Sequence, residues 1–273
     1  MIRRLIGAAA AALAGAALTI VSAPSAHAAA VDFHAIVALS NCSGSVVRGP
    51  LSADADPAMV LTNGHCSELG FPQPGQVVAD RRSTRTFSLL NSTGQQTIAR
   101  LRATQIEYST MTDTDITLYK LSTTYQQLRS QYGVEALRLS SERPLEAAQI
   151  SVVSGYWKRI YNCKIDGFAY RLRESSWTWK DSIRYTPECD TIGGTSGSPV
   201  VDQASGQVVG VNNTGNEDGA RCTLNNPCEV DQNGTITVRQ GINYAQQTYL
   251  MTRCLVRGSD IDLTNATCQL PRP

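Results

Sequence analysis

Histidine is nearly absent: among 273 residues only His27, His34 and His65 offer an imidazole. Chemistry that needs a side chain titrating near neutral pH has few places to be, and a histidine-rich metal centre is excluded. No Cys-x-x-Cys spacing occurs, which removes the commonest zinc and thiol-redox patterns. Charge imbalance is also lacking, since 24 Lys+Arg face 23 Asp+Glu. No field remains to gather nucleic acid. The densest basic run, Arg81-Arg82-Ser83-Thr84-Arg85, has no interleaved aromatic and reads as a solvated loop. Beyond position 28 no apolar run is long enough to cross a bilayer as a helix, so no membrane anchor is expected.

The apolar run that is present lies at the start. Met1-Ile2-Arg3-Arg4 precedes an Ala/Leu-rich stretch to about Val21, and Ala26-His27-Ala28 supplies small residues around a cut after Ala28. That order predicts a signal peptide over 1–28, hence an exported, extracellular protein. All eight cysteines, Cys42, Cys66, Cys163, Cys189, Cys222, Cys228, Cys254 and Cys268, lie beyond it. An even number in an oxidising compartment predicts four disulfides, with connectivity left open among roughly a hundred possibilities.

Short β-branched runs recur between Gly, Asn, Asp, Ser and Pro: Val46-Val47, Met59-Val60-Leu61, Val77-Val78, Ile116-Thr117-Leu118-Tyr119, Ile150-Ser151-Val152-Val153, Val200-Val201, Val208-Val209-Gly210-Val211 and Ile236-Thr237-Val238. Close spacing of short strands predicts an all-β sandwich or barrel fold. Residues 123–134 lack alternation and read as a connector between two halves. Residues 244–253 carry helix formers with apolar groups on one face, which predicts a C-terminal helix. Cys254 and Cys268 are then expected to staple the tail over 254–273.

One glycine-rich stretch, Gly193-Gly194-Thr195-Ser196-Gly197-Ser198-Pro199, reads either as a surface turn or as a loop displaying a nucleophilic hydroxyl. A serine needs a base to take its proton and a third group to orient that base. His27 leaves with the signal and His34 sits near the new N-terminus, so His65, delivered by Val60-Leu61-Thr62-Asn63-Gly64, is the candidate base. No histidine follows position 65, which excludes the α/β-hydrolase order. The strand-turn-strand pattern after Ser196 opposes a subtilisin-like α/β domain. Among aspartates between His65 and Ser196, Asp115 precedes an apolar strand and is preferred, with Asp113 the runner-up.

These residues in this order resemble the chymotrypsin-like (trypsin-like) serine endopeptidases, in particular secreted bacterial members. Cys42-Ser43-Gly44-Ser45-Val46-Val47 with Thr62-Asn63-Gly64-His65-Cys66, then Asp115-Ile116-Thr117-Leu118, then Gly194-Thr195-Ser196-Gly197-Ser198-Pro199 are similar to the family's three motifs. Gly210-Val211-Asn212-Asn213-Thr214-Gly215 is similar to its substrate-pairing strand. The resemblance implies two six-stranded antiparallel β-barrels with the active site between them. The first would span about 31–122 and the second about 135–243, within a peptidase domain over 29–253.

It further implies His65, Asp115 and Ser196 as the triad, and the backbone amides of Gly194 and Ser196 as the oxyanion hole. Asn213 and Gly215 would border the specificity pocket, and no cofactor or metal would be required. Asp190 sits at the spacing of the carboxylate that binds Lys or Arg in trypsin-like members; an exposed loop carboxylate is its alternative reading. A disulfide between Cys42 and Cys66 is also implied, leaving Cys163 with Cys189 and Cys222 with Cys228 as pairs by elimination and proximity. Thr195 stands where zymogen-activated relatives carry an Asp, so activation by a new N-terminal amine is not expected. The expected partners are protein or peptide substrates of a monomer. A catalytically silent homologue that binds protein through the same cleft, and an esterase using the same triad, are the competing functions.

Overall fold

The computed structural model describes residues 30–273 together with Ile2. All of the segment read as a signal peptide, 1–28, except Ile2 lies outside the described residues. The first half contains β1 (Ile36–Ala38), β2 (Ser43–Arg48), β3 (Pro57–Thr62), β4 (Val77–Arg82), β5 (Thr86–Leu90), β6 (Thr97–Thr110) and β7 (Ile116–Thr124). Six of these pair in the order β1-β5-β6-β7-β3-β2, and β1 returns to β2 to close the ring. Closure is what rids such short strands of open edges. Val46, Val60, Phe87, Leu89, Leu101, Ile106, Tyr119 and Leu121 fill the barrel.

The expected connector holds a helix, α1 (Tyr125–Tyr132). Thr124 Oγ1 accepts the Gln127 N–H at 3.2 Å while Gln127 Oε1 accepts the Thr124 N–H at 2.9 Å, so both ends of a capping box are made. β8 (Leu137–Arg138) then runs parallel beside β2, so the start of the second half is hydrogen-bonded to the first sheet.

The second half holds β9 (Gln149–Ser154), β10 (Arg159–Glu174), β11 (Trp177–Tyr185), β12 (Pro199–Asp202), β13 (Val208–Gly215), β14 (Cys228–Val230), β15 (Ile236–Val238) and β16 (Asn243–Gln247). The order β11-β16-β13-β12-β9-β10 is closed by pairing of β10 with β11, and the β14–β15 hairpin hangs from β10. The chain thus has the trypsin-like double-barrel fold. Ile150, Val152, Tyr161, Ile165, Ile183, Tyr185, Val200 and Val209 pack inside this second ring. A further apolar cluster, including Ile36, Val47, Met59, Leu118, Val153, Val201, Val208, Met251, Leu255 and Leu270, draws on both halves and on the tail.

One expectation is corrected. The C-terminal helix is present but shorter than the 244–253 expected: its first part is strand, β16 pairing with both β11 and β13, and α2 spans Tyr249–Thr252. Without β16 the second ring would stay open, and ladder pairing outweighs the weak helix preference of Ala245, Gln246 and Gln247. The two glutamines are buried, with Gln246 bonded to Ser182 and Gln247 to the Asp181 carbonyl.

The disulfides are Cys42–Cys66, Cys163–Cys189, Cys222–Cys228 and Cys254–Cys268. Such a set belongs to an oxidising, extracytoplasmic compartment. After Cys254 the tail crosses onto the first barrel. Ser259 Oγ donates to Pro57 O at 2.6 Å, Tyr108 Oη to Pro271 O at 2.9 Å, and Glu107 Oε1 accepts the Ile261 N–H at 2.8 Å.

Candidate active site

A cleft of about 290 Å³ is walled by His65, Phe71, Glu174, Trp177, Thr191 to Gly193, Ser196 and the strand end Asn212 to Gly215. β3 ends at Thr62, and the next three residues turn His65 toward it. Gly64 is required there by space, because a Cβ would lie 2.1 Å from Thr110 O and 2.8 Å from Asp115 Oδ1. Asp115, just ahead of β7, is fully buried. Its Oδ1 accepts the backbone N–H of His65 at 3.0 Å and its Oδ2 meets His65 Nδ1 at 2.7 Å. Burial disfavours the charged imidazole, yet the carboxylate of Asp115, aided by Glu174, outweighs it and holds the His65 pKa above its ordinary value. With Nδ1 taken, Nε2 is the nitrogen left to act.

Ser196 reaches the cleft on a loop braced from both barrels. Ser43 donates its N–H to Ser196 O at 2.8 Å, and Gly197 donates to Asn212 O at 2.9 Å. Gly197 has φ +81°, and a Cβ there would lie 2.1 Å from Thr62 Oγ1 and 2.2 Å from Ser43 O, so this contact between the halves admits only glycine. The Ser196 hydroxyl donates to Asn213 O at 3.1 Å rather than to His65. Thr195 is buried; its hydroxyl donates to Ile192 O at 2.5 Å and accepts from Asn212 Nδ2 at 3.1 Å. A neutral network thus holds the loop where an ion pair would otherwise be needed.

Among the described residues, no protein acceptor takes the N–H of Gly194 or of Ser196. The carbonyl of Gly193 is occupied instead, accepting the Trp157 indole N–H at 2.7 Å. Because the Gly193–Gly194 peptide is trans, its N–H points away from that indole. Ser43 Oγ in turn donates to Gly194 O at 3.2 Å. Two free amides beside a hydroxyl make a site for a developing oxyanion.

Of the specificity residues expected, Asn213 and Gly215 line the cleft and Asp190 does not: it is exposed, while its neighbours Cys189 and Thr191 are buried. The group facing inward is Thr191, whose hydroxyl donates to Asn243 Oδ1 at 2.9 Å. The pocket floor is therefore neutral. Asp113 is ion-paired with Lys180 and takes no part with His65. Trp179 is a buried packing residue whose indole donates to Met111 O at 3.1 Å. Trp177 does more. Its indole donates to Pro72 O at 2.9 Å and its ring meets Phe71 edge-on at 5.8 Å, Phe71 in turn lying 5.7 Å from the His65 ring.

Sequence reading missed Glu174. Along β10 the buried positions alternate through Ile165, Gly167 and Ala169 and then change phase to Leu172 and Glu174, so the carboxylate takes an inward place that strict alternation would assign outward.

The profile of the trypsin-like peptidase domain matches residues 42–211, a span that carries His65, Asp115 and Ser196. The chain belongs to the trypsin-like peptidase family. Comparison with curated proteins gives no significant match. Among solved structures, the MamO protease domain from Magnetospirillum magneticum is 13% identical, with a TM-score of 0.48 over 80% of this chain and 94% of that one. A protease from M. tuberculosis in its active form is 16% identical, with a TM-score of 0.47 over 96% of this chain and 97% of that one. Chymotrypsin from Cellulomonas bogoriensis is 13% identical, with a TM-score of 0.41 over 80% and 91%.

Proposed function

We propose that this peptidase-family chain is an exported serine endopeptidase acting through Ser196, His65 and Asp115. The observation that carries the reading is the buried 2.7 Å bond from Asp115 to His65 Nδ1, which leaves Nε2 for the cleft that Ser196 shares. Ser196 Oγ attacks the peptide carbonyl as His65 takes its proton. The same imidazole then protonates the leaving amine, and water repeats the sequence on the acyl-enzyme. Asp115 fixes the tautomer and stabilises the charged imidazole. The amides of Gly194 and Ser196 receive the oxyanion, each donor contributing about 3 kcal/mol to the transition state. Every group required comes from the chain, so no cofactor is invoked.

The substrate is an extended peptide. Pairing of β12 with β13 stops at Pro199–Val211, so the Asn213 to Gly215 edge opposite β16 is free to accept a substrate strand. With Asp190 outside and Thr191, Asn243, Ile192 and Leu224 lining the wall, the pocket beside Ser196 suits a neutral residue. Export follows from the leader over 1–28 and the four disulfides. A fluorophosphonate probe tests the reading on purified mature protein. Wild type should label and Ser196→Ala should not; equal labelling, or none in wild type, refutes it. Digestion of a peptide library then separates a peptidase from an esterase.

A further inference from the structure

The wall of the cleft contains two carboxylates, Glu174 and Glu217, and no lysine or arginine. Glu217 is exposed and free to be hydrated, whereas Glu174 is 95% removed from solvent, at 5% relative exposure. Glu174 Oε1 accepts the Asn225 N–H at 2.8 Å, but Oε2 is buried without a hydrogen-bond partner. A carboxylate can accept up to about four hydrogen bonds, and leaving one oxygen dry and unpaired is costly. Burial accordingly pushes the Glu174 carboxyl above the ordinary carboxylate range, with the Thr214 hydroxyl, the Asn225 N–H and His65 acting the other way. Leu172, two residues earlier on the same face, shows that an apolar side chain fits the strand's inward phase.

What would satisfy Oε2 is a cation delivered along the cleft. Trp177 and Phe71 stand on the same wall and give the approach an aromatic flank that tolerates a guanidinium or ammonium. Thr214 lies one residue beyond Asn213, whose carbonyl holds the Ser196 hydroxyl. A group meeting Glu174 beside Thr214 is thus displaced along the open edge from the residue that fills the neutral pocket. We propose that Glu174 determines specificity, its free Oε2 pairing with the side chain of an arginine or lysine placed two to four residues before the scissile bond of a peptide substrate. The inference rests on the peptidase reading of this cleft and adds the substrate class. It separates two recognition tasks: a neutral residue beside Ser196, and a basic one further along.

The test measures binding without chemistry. Blocked heptapeptides with leucine before the bond carry arginine or its neutral isostere citrulline at the second, third or fourth position before it, and are titrated calorimetrically into Ser196→Ala protein. Arginine should bind roughly tenfold or more tightly than citrulline at one of the three positions, as a charge-assisted bond in a dry site implies. Ser196→Ala/Glu174→Gln, which keeps the acceptor for Asn225, should bring that ratio to near unity. Salt gives a second measure that needs no change at position 174. A pair with buried Glu174 keeps its arginine preference at about 0.5 M NaCl, whereas a pair with exposed Glu217 loses it to screening. Equal binding of arginine and citrulline at every position overturns the proposal. So does a preference that survives Glu174→Gln or vanishes with salt. Because Ser196→Ala performs no chemistry, these outcomes are independent of the labelling result that decides the peptidase reading itself.

Discussion

Replacing Trp157 by Phe should weaken catalysis without weakening substrate binding. The indole N–H is the group that holds Gly193 O at 2.7 Å, and through the trans peptide it decides which way the Gly194 N–H faces. Phenylalanine keeps the edge-on packing against Tyr156, whose ring centroid is 5.0 Å away, and removes only the donor. Trp157 is 49% exposed, so water competes for this bond and its net worth is that of an ordinary neutral one, about 1 kcal/mol. If the two peptide orientations are otherwise equal, losing about 1 kcal/mol lowers the productive fraction roughly twofold; if the flipped one is otherwise favoured, the loss approaches fivefold. The ceiling is the worth of the whole donor, on the order of 100-fold or more. The expected result is thus a two- to fivefold fall in kcat with KM nearly unchanged. Affinity for a peptide aldehyde, which forms a hemiacetal at Ser196 and uses the same hole, should fall by the same factor. Unchanged kcat and aldehyde affinity, or a loss confined to KM, would refute the reasoning.

Two further outcomes follow from geometry already described. For Asp115→Asn, kcat should fall on the order of 10⁴-fold, because the amide favours the wrong tautomer of His65. His65 must be neutral to accept a proton, so activity rises with pH through its pKa; that limb lies above the ordinary imidazole value in wild type and should move down in the variant, where burial acts without the carboxylate. A pH–rate profile of kcat/KM reads both effects, and an unmoved limb would mean that Asp115 does not set the titration. Removing the tail disulfide as Cys254→Ser/Cys268→Ser opens a loop whose ends are 14 residues apart. A loop of that size is worth about 3 kcal/mol, which predicts a Tm lower by roughly 6–12 °C. Calorimetric unfolding checks it, and an unchanged Tm would show that the tail's hydrogen bonds suffice.

The fold and the placement of His65, Asp115 and Ser196 were legible because each depends on local signals. Short β-branched runs mark strands, a strand end delivers each of the three groups, and chain order excludes rival architectures. What was not legible depends on which side a residue faces. Asp190 has the right distance from Ser196 in sequence, yet Cys189 turns inward to its bond with Cys163, so Thr191 rather than Asp190 reaches the pocket. The two longest strands, β6 and β10, do not read as apolar runs because Arg100, Arg102, Arg171 and Arg173 fill outward positions between the buried ones. A change of phase between Ala169 and Leu172 hid Glu174, which strict alternation from Ile165 would place on the outward side. β16 misled for a different reason. Its glutamines and alanine favour helix locally, and only a distant partner makes them strand.

The tail that crosses from the second half onto the first barrel has a consequence for the order of assembly. Its bonds to Pro57 and Tyr108 join residues separated by 202 and 163 positions. Closing contacts at such distances is slow, because nearly all the intervening chain must already be in place. The two barrels can therefore form in turn, with β2–β8 pairing and the Ser43–Ser196 bond across the seam, and the tail adds its bonds after them. Until then His65 and Ser196 sit on halves joined by the β2–β8 pairing and the Ser43–Ser196 bond, without the tail's clamp across them.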